Sequence, residues 1–401
     1  MKKEKLVPEI RFKGFEQYWH ISKLRNISDI YDGIHETPKY TKNGIMFLSV
    51  EDIATLKSNK YISYHDFCKL YKKYPQKGDV LMTRIGDVGT TNVVCDNSLK
   101  AYYVSLALIK PYVDSHYLNQ LLKTQAAQQE LLSKTLTTAI PQKINKNQIG
   151  EILLFYSTSK EEQQKIGQFF SNIDSFIQSE ELKLKKLNEV KQSFLSKMFA
   201  SENSKFPEIR FKGFDEPWKL NKFSDLYNCN NEKNINIRYT EKNIISVANM
   251  YFKDEQKISN TEYLKSYNIF HLGDIAYEGN KSANYRYGRF VVNTIGSGIV
   301  SHVFEVFKPV MKEYDLYFWK YYINNESIMR NVLRDSTKST TMMATLVKKD
   351  LSNQFIKTTS IAEQQKIGAF FSNLESLISS QELKLEKLNN VKQALLEKMF
   401  C

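Results

Sequence analysis

Two stretches of the chain repeat a hydrophobic pattern in which apolar residues alternate at spacings of four and three. The first stretch covers residues 162–199 and the second covers residues 363–400. A sustained period of 3.5 residues is typical of the apolar seam of a coiled coil. The pattern predicts two long helices that pair antiparallel; two helices in ordinary globular bundles are the alternative. The predicted helix-pairing residues are Ile166, Phe170, Ile173, Ile177, Leu184, Leu187, Ile367, Phe371, Leu374, Ile378, Leu385 and Leu388.

Polar residues interrupt both seams at matching places. Glu180 and Lys191 fill the gaps in the first stretch, and Gln381 and Lys392 fill them in the second. Polar side chains inside an apolar seam fix the register of two helices at some cost in stability. Matching gaps therefore favour pairing of the two stretches with each other.

The two stretches are also near-copies in sequence. EQQKIGQFFSNIDSFIQSEELKLKKLNEVKQSFLSKMF in the first corresponds to EQQKIGAFFSNLESLISSQELKLEKLNNVKQALLEKMF in the second. Upstream of each, the motif PEIRFKGF occurs letter for letter at residues 8–15 and 207–214, and leads to Trp19 and Trp218. Chance does not produce such a match, and the period is too long for a solenoid repeat. The chain therefore contains two copies of one module.

The segments between the matched pieces diverge and carry mixed helix and strand signals. Short runs rich in β-branched and aromatic residues predict strands near residues 44–50, 79–83, 102–109 and 289–292. Helical patterns cover residues 117–134 and 316–334. We expect an α+β chain with two globular α/β domains separated by two long antiparallel coiled-coil helices, in a pseudo-two-fold arrangement. The expected boundaries are 1–158 and 201–360 for the domains, and 159–200 and 361–401 for the helices.

Composition narrows the class of partner. The 401 residues carry a formal net charge of +13, and excess Lys and Arg attracts polyanions, above all nucleic acid. No apolar run is long enough to predict a transmembrane helix, and the basic N-terminus lacks the apolar core of a secretory signal. A cytoplasmic location without a membrane partner is expected. The four cysteines form no C-x-x-C pair, so neither a zinc site nor a disulfide framework is predicted.

Two variable domains alternating with two near-identical helices closely resemble the specificity subunit of Type I restriction-modification systems. The resemblance covers the whole chain, and it includes the EIRFxGF motif before a tryptophan and the strand followed by glycines at residues 78–89. The second copy of that strand, at residues 273–279, lacks the arginine found at Arg84. A contact made by Arg84 is therefore not transferred to Glu278.

The resemblance implies a DNA-binding subunit without a catalytic site. In that family each recognition domain reads one half of a split, asymmetric site on double-stranded DNA, and the helices set the gap. The helices also dock two methyltransferase subunits, and two motor-nuclease subunits can join. The assembled complex acts as an adenine-specific DNA methyltransferase and ATP-dependent endonuclease. S-adenosylmethionine, ATP and Mg are expected in the partner subunits, and no cofactor is expected in this chain.

Several segments carry the side chains that DNA contacts require, namely cations and hydroxyls for phosphates and Arg, Asn or Gln for base edges. Two hydroxyl-rich segments precede the long helices at equivalent places, and a third segment is a basic aromatic run at residues 280–289. The predicted DNA-binding residues are Arg84, Lys134, Thr137, Thr138, Gln142, Lys143, Lys281, Arg286, Arg289, Arg334, Lys338, Ser339 and Thr340. Polar surface loops are the alternative for the segments, and a salt bridge is the alternative for Arg84.

Signatures of catalysis are missing from the sequence. There is no P-loop, no pair of adjacent prolines of the kind found in the catalytic motif of amino-methyltransferases, and no nucleophile elbow. Two other classes of function remain as alternatives. One is a coiled-coil adaptor with protein-binding heads, and the other is a stand-alone nuclease or methyltransferase, which would need a motif that the sequence does not show.

Overall fold

The protein is described from a computed structural model that covers residues 7–230, 232–253, 261–339 and 343–400. The chain forms two compact units. Unit 1 consists of Met1–Leu182 and Leu383–Cys401, and unit 2 consists of Lys183–Glu382. Within unit 1 the globular part from His20 to Tyr156 is called head 1; within unit 2 the part from Lys219 to Thr358 is called head 2.

Head 1 is followed by the first long helix. Its strands are β1 (His20–Lys23), β2 (Ser28–Asp32), β3 (Tyr40–Thr41), β4 (Ile45–Leu48), β5 (Tyr61–Ile62), β6 (Val80–Ile85), β7 (Asp87–Val93), β8 (Lys100–Tyr102), β9 (Leu106–Pro111) and β10 (Leu153–Tyr156). Its helices are α1 (Leu24–Ile27), α2 (Tyr64–Leu70), α3 (Ser115–Leu121), α4 (Gln125–Lys134) and α5 (Lys146–Gly150), and the long helix is α6 (Lys160–Lys197). A 3-10 turn lies at Val50–Asp52.

Head 2 is followed by the second long helix. Its strands are β11 (Lys219–Lys222), β12 (Tyr227–Asn230), β13 (Ile245–Ser246), β14 (Tyr251–Phe252), β15 (Asn268–Phe270), β16 (Ile275–Glu278), β17 (Arg289–Val292), β18 (Gly298–Val300), β19 (Glu305–Pro309), β20 (Thr337–Ser339), β21 (Ala344–Leu346) and β22 (Phe355–Thr358). Its helices are α7 (Phe223–Leu226), α8 (Leu316–Ile323), α9 (Glu326–Asp335) and α10 (Lys348–Ser352), and the long helix is α11 (Ile361–Met399). Two 3-10 turns lie at Glu241–Asn243 and Thr261–Ser266.

The central sheets of the two heads have the same topology. Head 1 orders its strands β2-β9-β6-β7 and head 2 orders them β12-β19-β16-β17, with every neighbouring pair antiparallel. Head 1 adds a second four-stranded sheet, β3-β5-β4-β8, while head 2 forms two-stranded ribbons in the corresponding stretch of sequence. A shared central sheet with different additions is what a duplicated and then diverged module produces. The α+β fold class predicted from the sequence is confirmed.

The helical patterns at 117–134 and 316–334 each divide into two helices rather than one. The Thr124 hydroxyl accepts a hydrogen bond from the Ala127 amide at 3.3 Å, and the Asn325 side chain accepts one from the Ser327 amide at 3.0 Å. These side chains satisfy the free amides of a new helical turn, so each starts a second helix. The hydrophobic pattern continues across the break, which is why it predicts a single helix.

Each unit buries an aromatic cluster to which the two long helices contribute opposite ends. In unit 1 the Phe400 ring lies 5.8 Å from Trp19 and 5.9 Å from Phe170 of α6. In unit 2 the Phe199 ring lies 6.4 Å from Trp218 and 5.7 Å from Phe371 of α11. The beginning of one helix and the end of the other therefore share one core in each unit.

A glycine allows head and helix to approach closely in both units. Asp114 caps α3 by accepting the Tyr117 amide at 2.8 Å, and a Cβ at Gly167 of α6 would overlap the Asp114 carboxylate. Asp315 caps α8 by accepting the Phe318 amide at 2.7 Å, and Gly368 of α11 faces it in the same way. Any larger residue at either glycine would push the capped helix away from the long helix.

An arginine–glutamate ion pair fastens the PEIRFKGF segment to the first turn of the long helix in each unit. Arg11 donates to Glu162 at 2.5 and 2.9 Å, and Arg210 donates to Glu363 at 2.7 and 2.8 Å. Both glutamate side chains are fully buried. Burial acts to raise the pKa of Glu162, but Arg11 and Ser157 outweigh it and lower that pKa below its usual value. Because each ion pair is buried and bidentate, it fixes the orientation of the PEIRFKGF segment on the long helix.

Candidate nucleic-acid interface

In head 1, the hydroxyl-rich loop before the long helix lies against the turn between β6 and β7. Lys143 bridges both Leu136 and Ile85, and the Gln142 side chain donates to the Gly86 carbonyl at 3.0 Å. The Gly86 amide donates back to the Gln142 carbonyl at 2.9 Å. These bonds hold the loop and the turn together as one surface.

The predicted DNA-binding residues of that loop differ in their availability. Thr137, Thr138 and Lys143 have exposed side chains, so a ligand can reach them. Lys134, at the end of α4, pairs with Glu130 at 2.9 Å and is half-buried. The structure therefore brings Gln142, Lys143 and the two threonines to one surface.

The surroundings of Arg84 bear on its predicted DNA contact. Its guanidinium is buried and forms an ion pair with Asp32 at the end of β2. Its backbone amide and carbonyl are bonded to Ser105 and Ile144. A DNA contact from Arg84 would have to break this buried pair, so its placement favours the salt-bridge alternative in a buried form.

In head 2, the segment before the long helix forms the hairpin β20–β21 rather than an irregular loop. The Ala344 amide donates to the Gly279 carbonyl at 2.8 Å, and Met343 bridges Asn280. The equivalent bonds in head 1 join Ile144 to Arg84 and Lys143 to Ile85. Both heads therefore attach this segment to the end of the same central strand, although the sequences differ.

Arg334, Lys338 and Ser339 of head 2 lie on or beside this hairpin. Lys338 in β20 is exposed, and Ser339 pairs with Ala344 through its backbone. Thr340 lies outside the described residues. Arg334, at the end of α9, is exposed and pairs with Asp335 at 2.7 Å, which lowers the pKa of that carboxyl.

The basic aromatic run at residues 280–289 places its three cations differently. Lys281 is half-buried, and the exposed Arg286 guanidinium lies 5.9 Å from the Tyr287 ring centre. Arg289 starts β17 and donates to Glu278, directly opposite on β16, at 2.7 Å. Arg286 is thus available for phosphate contacts, while Arg289 is held in a fixed position.

The predicted helix-pairing residues are all buried or half-buried along the two long helices. Ile166, Phe170, Ile177, Ile367, Phe371, Leu374, Ile378 and Leu385 are buried, while Ile173, Leu184, Leu187 and Leu388 are half-buried. In unit 1, Phe170 contacts Phe400 and Glu180 pairs with Lys384 at 2.8 Å. From Phe170 to Glu180 the residue number increases along α6, while that of the partner, in or just after α11, decreases from Phe400 to Lys384. The two helix segments therefore run antiparallel within the unit.

Two further ion pairs join the helix segments, and they use polar residues that interrupt the seams. Lys392 pairs with Asp174 at 2.6 Å in unit 1, and Lys191 pairs with Glu375 at 3.1 Å in unit 2. Burial acts to raise the pKa of Glu375, but hydrogen bonds from Lys320, Tyr321 and Lys191 lower it to about 2. The two ion pairs use equivalent positions of the sequence repeat, because Asp174 corresponds to Glu375 and Lys191 corresponds to Lys392. The duplication therefore gives both units the same helix register.

Sequence reasoning missed one polar residue of unit 2 that lies beside the basic aromatic run. Asn249, in the turn between β13 and β14, lines the same cleft as Asn284, Arg289 and Arg330. Asn249 carries no charge and belongs to no repeated motif, so the sequence held no signal for it. Only the fold brings this turn beside the basic aromatic run.

Among the residues with described structure, no helix combines the length and apolarity needed to cross a bilayer. Over the same residues, no three His, Cys, Asp or Glu side chains cluster in a way that could hold a metal ion.

Comparison with known proteins places the fold. No family model matches the chain, and no curated protein matches it in sequence. A solved Type I restriction-modification S subunit from M. genitalium aligns over 98% of this chain and 99% of its own, with a TM-score of 0.62 and 13% identity. A chain from a structural study of complex assembly and conformational transition in the type I R-M system aligns over 95% and 97%, with a TM-score of 0.53 and 14% identity.

These likenesses extend over nearly the whole of each chain. At such low identity they establish the fold and leave the activity to be argued separately. The chain has the fold of a Type I restriction-modification S subunit, as the sequence resemblance predicts.

Proposed function

We propose that this chain is the DNA-specificity subunit of a Type I restriction-modification complex. Each head reads one half of a split, asymmetric site on double-stranded DNA, and the long helices set the spacing between the halves. The observation that carries the proposal is a duplicated framework bearing two unlike heads. The same Arg–Glu joint and the same central sheet recur, while the loops next to the sheet differ.

Electrostatics support DNA as the ligand. The chain carries an excess of 13 positive charges, and cationic surfaces attract duplex DNA because phosphate contacts release counterions. Exposed Arg286, Lys338, Lys143 and the two threonines of head 1 lie at the same end of their central sheets. Phosphate contacts from such residues would position each head, and less exposed residues nearby would read bases.

The helices are proposed to dock two copies of one methyltransferase subunit. Apolar side chains identical in both copies of the repeat are exposed in both, namely Ile10 with Ile209, Leu182 with Leu383 and Val190 with Val391. Exposed apolar groups retained in both copies indicate a partner that binds twice through the same contacts. Two motor-nuclease subunits would join the resulting assembly.

Catalysis is assigned to the partner subunits rather than to this chain. They would supply S-adenosylmethionine for adenine methylation and ATP with Mg for motor-driven cleavage. This chain would supply the choice of site, and it would act in the cytoplasm, where the host chromosome is the substrate for methylation.

The test is selection of randomised duplex DNA by the chain co-purified with its methyltransferase partner. We expect enrichment of one split motif with two different halves separated by a fixed gap. An enriched pool without any split motif would overturn the proposal, and partner binding without DNA binding would favour the adaptor alternative. DNA methylation by the purified chain alone would favour the enzyme alternative.

A charge-neutralising pair of substitutions tests the placement of the phosphate contacts. Arg286→Ala combined with Lys338→Ala should weaken binding similarly for all sequences and reduce the slope of log affinity against log salt by about 2. Lys312→Ala is the matched control, since Lys312 is exposed beyond the C-terminal end of β19, at the opposite end of the central sheet. An unchanged salt slope in the double variant would place the phosphate contacts elsewhere.

A further inference from the structure

Unit 2 contains an open cleft of about 1260 Å³ beside the basic aromatic run. The turn at residues 248–250 forms one rim, and residues 283–285 form the rim next to it. The corner between α8 and α9, the end of α6, β17 with Thr294 after it, and Glu375 of α11 line the rest of the cleft. Enclosed small-molecule sites are usually smaller and mainly apolar, so this open, polar cleft fits an extended polar ligand better.

The charge of the cleft favours an anion. Cationic side chains outnumber carboxylates among the lining residues: the cations are Lys191, Arg289, Lys320 and Arg330, and the carboxylates are Glu326 and Glu375. Both carboxylates are already paired, Glu326 with Arg330 at 3.2 Å and Glu375 with Lys191 at 3.1 Å. Glu278 pairs with Arg289 from the central sheet, so four cations face three carboxylates and an anion meets a lining with a small positive excess.

One wall of the cleft is held rigid by a chain of contacts. The Arg289 guanidinium donates to Glu278 at 2.7 Å and to the Ala248 carbonyl at 2.9 Å, and lies 4.9 Å from the Tyr285 ring centre. The Tyr285 hydroxyl donates to Asn324 at 2.8 Å. Arg289 thereby ties the 248–250 turn to the central sheet, which fixes the two rims relative to each other.

The rims carry side chains suited to base edges. Asn249 and Asn284 are exposed, and each projects from a segment that Arg289 or Tyr285 holds in place. A carboxamide can form two hydrogen bonds with the edge of adenine in the major groove. Arg330 is 62% exposed on α9 and suits a phosphate.

We propose that this cleft seats the sugar–phosphate backbone of one strand of the duplex in the half-site of head 2. Arg330 contacts the phosphate, Asn249 and Asn284 read neighbouring base edges, and Arg289 is a positioning residue. The assignment deepens the proposed function and rests on it. It adds Asn249, which lies outside the segments predicted to contact DNA, and gives separate roles to Asn284 and Arg330, which lie within them.

The test compares three variants in the same randomised-duplex selection, with the co-purified complex. Asn249→Ala and Asn284→Ala should each reduce discrimination at one or two base pairs of a single half-site, roughly 5- to 100-fold, and leave the other half unchanged. Arg330→Ala should weaken all sequences about equally and lower the salt slope by about 1. Asn228→Ala is the control, because Asn228 is exposed on β12, the edge strand farthest from β17.

The outcomes separate this inference from the proposed function. If the wild-type complex selects a split motif and both asparagine variants keep full discrimination at both halves, the inference fails and the proposed function stands. If the variants lose methyltransferase binding but keep their DNA preference, the cleft holds an acidic segment of the partner and the inference is overturned. If the wild-type complex selects no split motif, both the inference and the proposed function fail. Unchanged thermal unfolding midpoints would confirm that the variants fold.

Discussion

Units 1 and 2 fasten head to helix with the same ion pair, yet they surround it differently. In unit 1 the Trp19 indole donates to Glu162 at 3.2 Å, so the carboxylate serves both Arg11 and the tryptophan. In unit 2 the Trp218 indole nitrogen is buried with no partner among the described residues, and the Thr359 hydroxyl donates to Glu363 instead. Both copies of the repeat keep the ion pair, but a different side chain donates the second hydrogen bond to the glutamate.

The second joint shows the same relation. Asp174 in unit 1 receives the Gln120 amide at 2.7 Å and Lys392 at 2.6 Å. Glu375 in unit 2 receives the Tyr321 hydroxyl at 2.7 Å together with Lys191 and Lys320. Both units retain the lysine that joins one long helix to the other, Lys392 in unit 1 and Lys191 in unit 2. The head bonds the same carboxylate through an amide in unit 1, and through a lysine and a phenol in unit 2. The framework therefore accepts different heads through a small set of fixed partners.

Removing the shared arginine should produce the largest effect in either unit. Arg11→Met or Arg210→Met leaves a fully buried glutamate without its cation, and such a change costs about 3–5 kcal/mol of unfolding free energy. Urea unfolding followed by circular dichroism measures the loss. Lys13→Met, at an exposed position of the same motif, is the control and should stay within about 0.5 kcal/mol. A loss below about 1 kcal/mol for the arginine variants would show that the joint carries little of the stability.

Substituting the two tryptophans should reveal a smaller difference in stability between the units. Trp19→Phe removes a hydrogen bond to a buried carboxylate, whereas Trp218→Phe removes an indole N–H that has no described partner. Both variants lose similar apolar area, so their difference isolates the bond, which we expect to be about 1.5–3 kcal/mol. Thermal unfolding of the two variants measures the difference. Equal losses would mean that the Trp19 bond contributes nothing beyond packing.

Acid should weaken the Glu375 joint of unit 2. The folded-state pKa of Glu375 is lowered to about 2 from an ordinary value of 4.5, so its stabilisation is present above pH 4.5 and is lost as the pH falls toward 2. The side chain is 35% exposed, and screening by solvent limits the effect to about 1 kcal/mol. Glu375→Gln should remove this part of the acid dependence in unfolding experiments at graded pH.

Asp174→Asn is the matched substitution in unit 1 for the acid experiment. It should leave the acid dependence that Glu375 contributes in place. If Glu375→Gln and the wild-type chain lose stability equally between about pH 4.5 and 2, the Glu375 joint is not responsible.

The long helices were predictable because a hydrophobic period sustained over residues 162–199 has few competing structures. The short helices were less so, since Thr124 and Asn325 start new turns without disturbing the apolar pattern. The sequence also does not show which helix end packs in which unit. The two helices are near-copies, so the sequence alone could not decide whether Phe400 packs beside Trp19 or beside Trp218.

The candidate interface shows the same limit at the level of side chains. Composition indicated two of the surface segments, namely the hydroxyl-rich segment before the first long helix (residues 133–143) and the basic aromatic run at 280–289, and the structure places both against the end of a central strand. Arg84 could not be resolved from sequence, because its partner Asp32 is 52 residues away along the chain. Asn249 could not be found at all, since its relation to Arg289 depends on the turn between two strands.

The location of Phe400 has a consequence for how the chain is made. The residues that complete the aromatic cluster of unit 1, including Leu396, Met399 and Phe400, are synthesised after the whole of unit 2. Until they leave the ribosome, Trp19, Tyr117 and Phe170 lack part of their cover. Unit 1 begins first and finishes last, so a ribosome that stops before residue 396 releases a nascent chain whose first half still exposes apolar surface to chaperones and proteases.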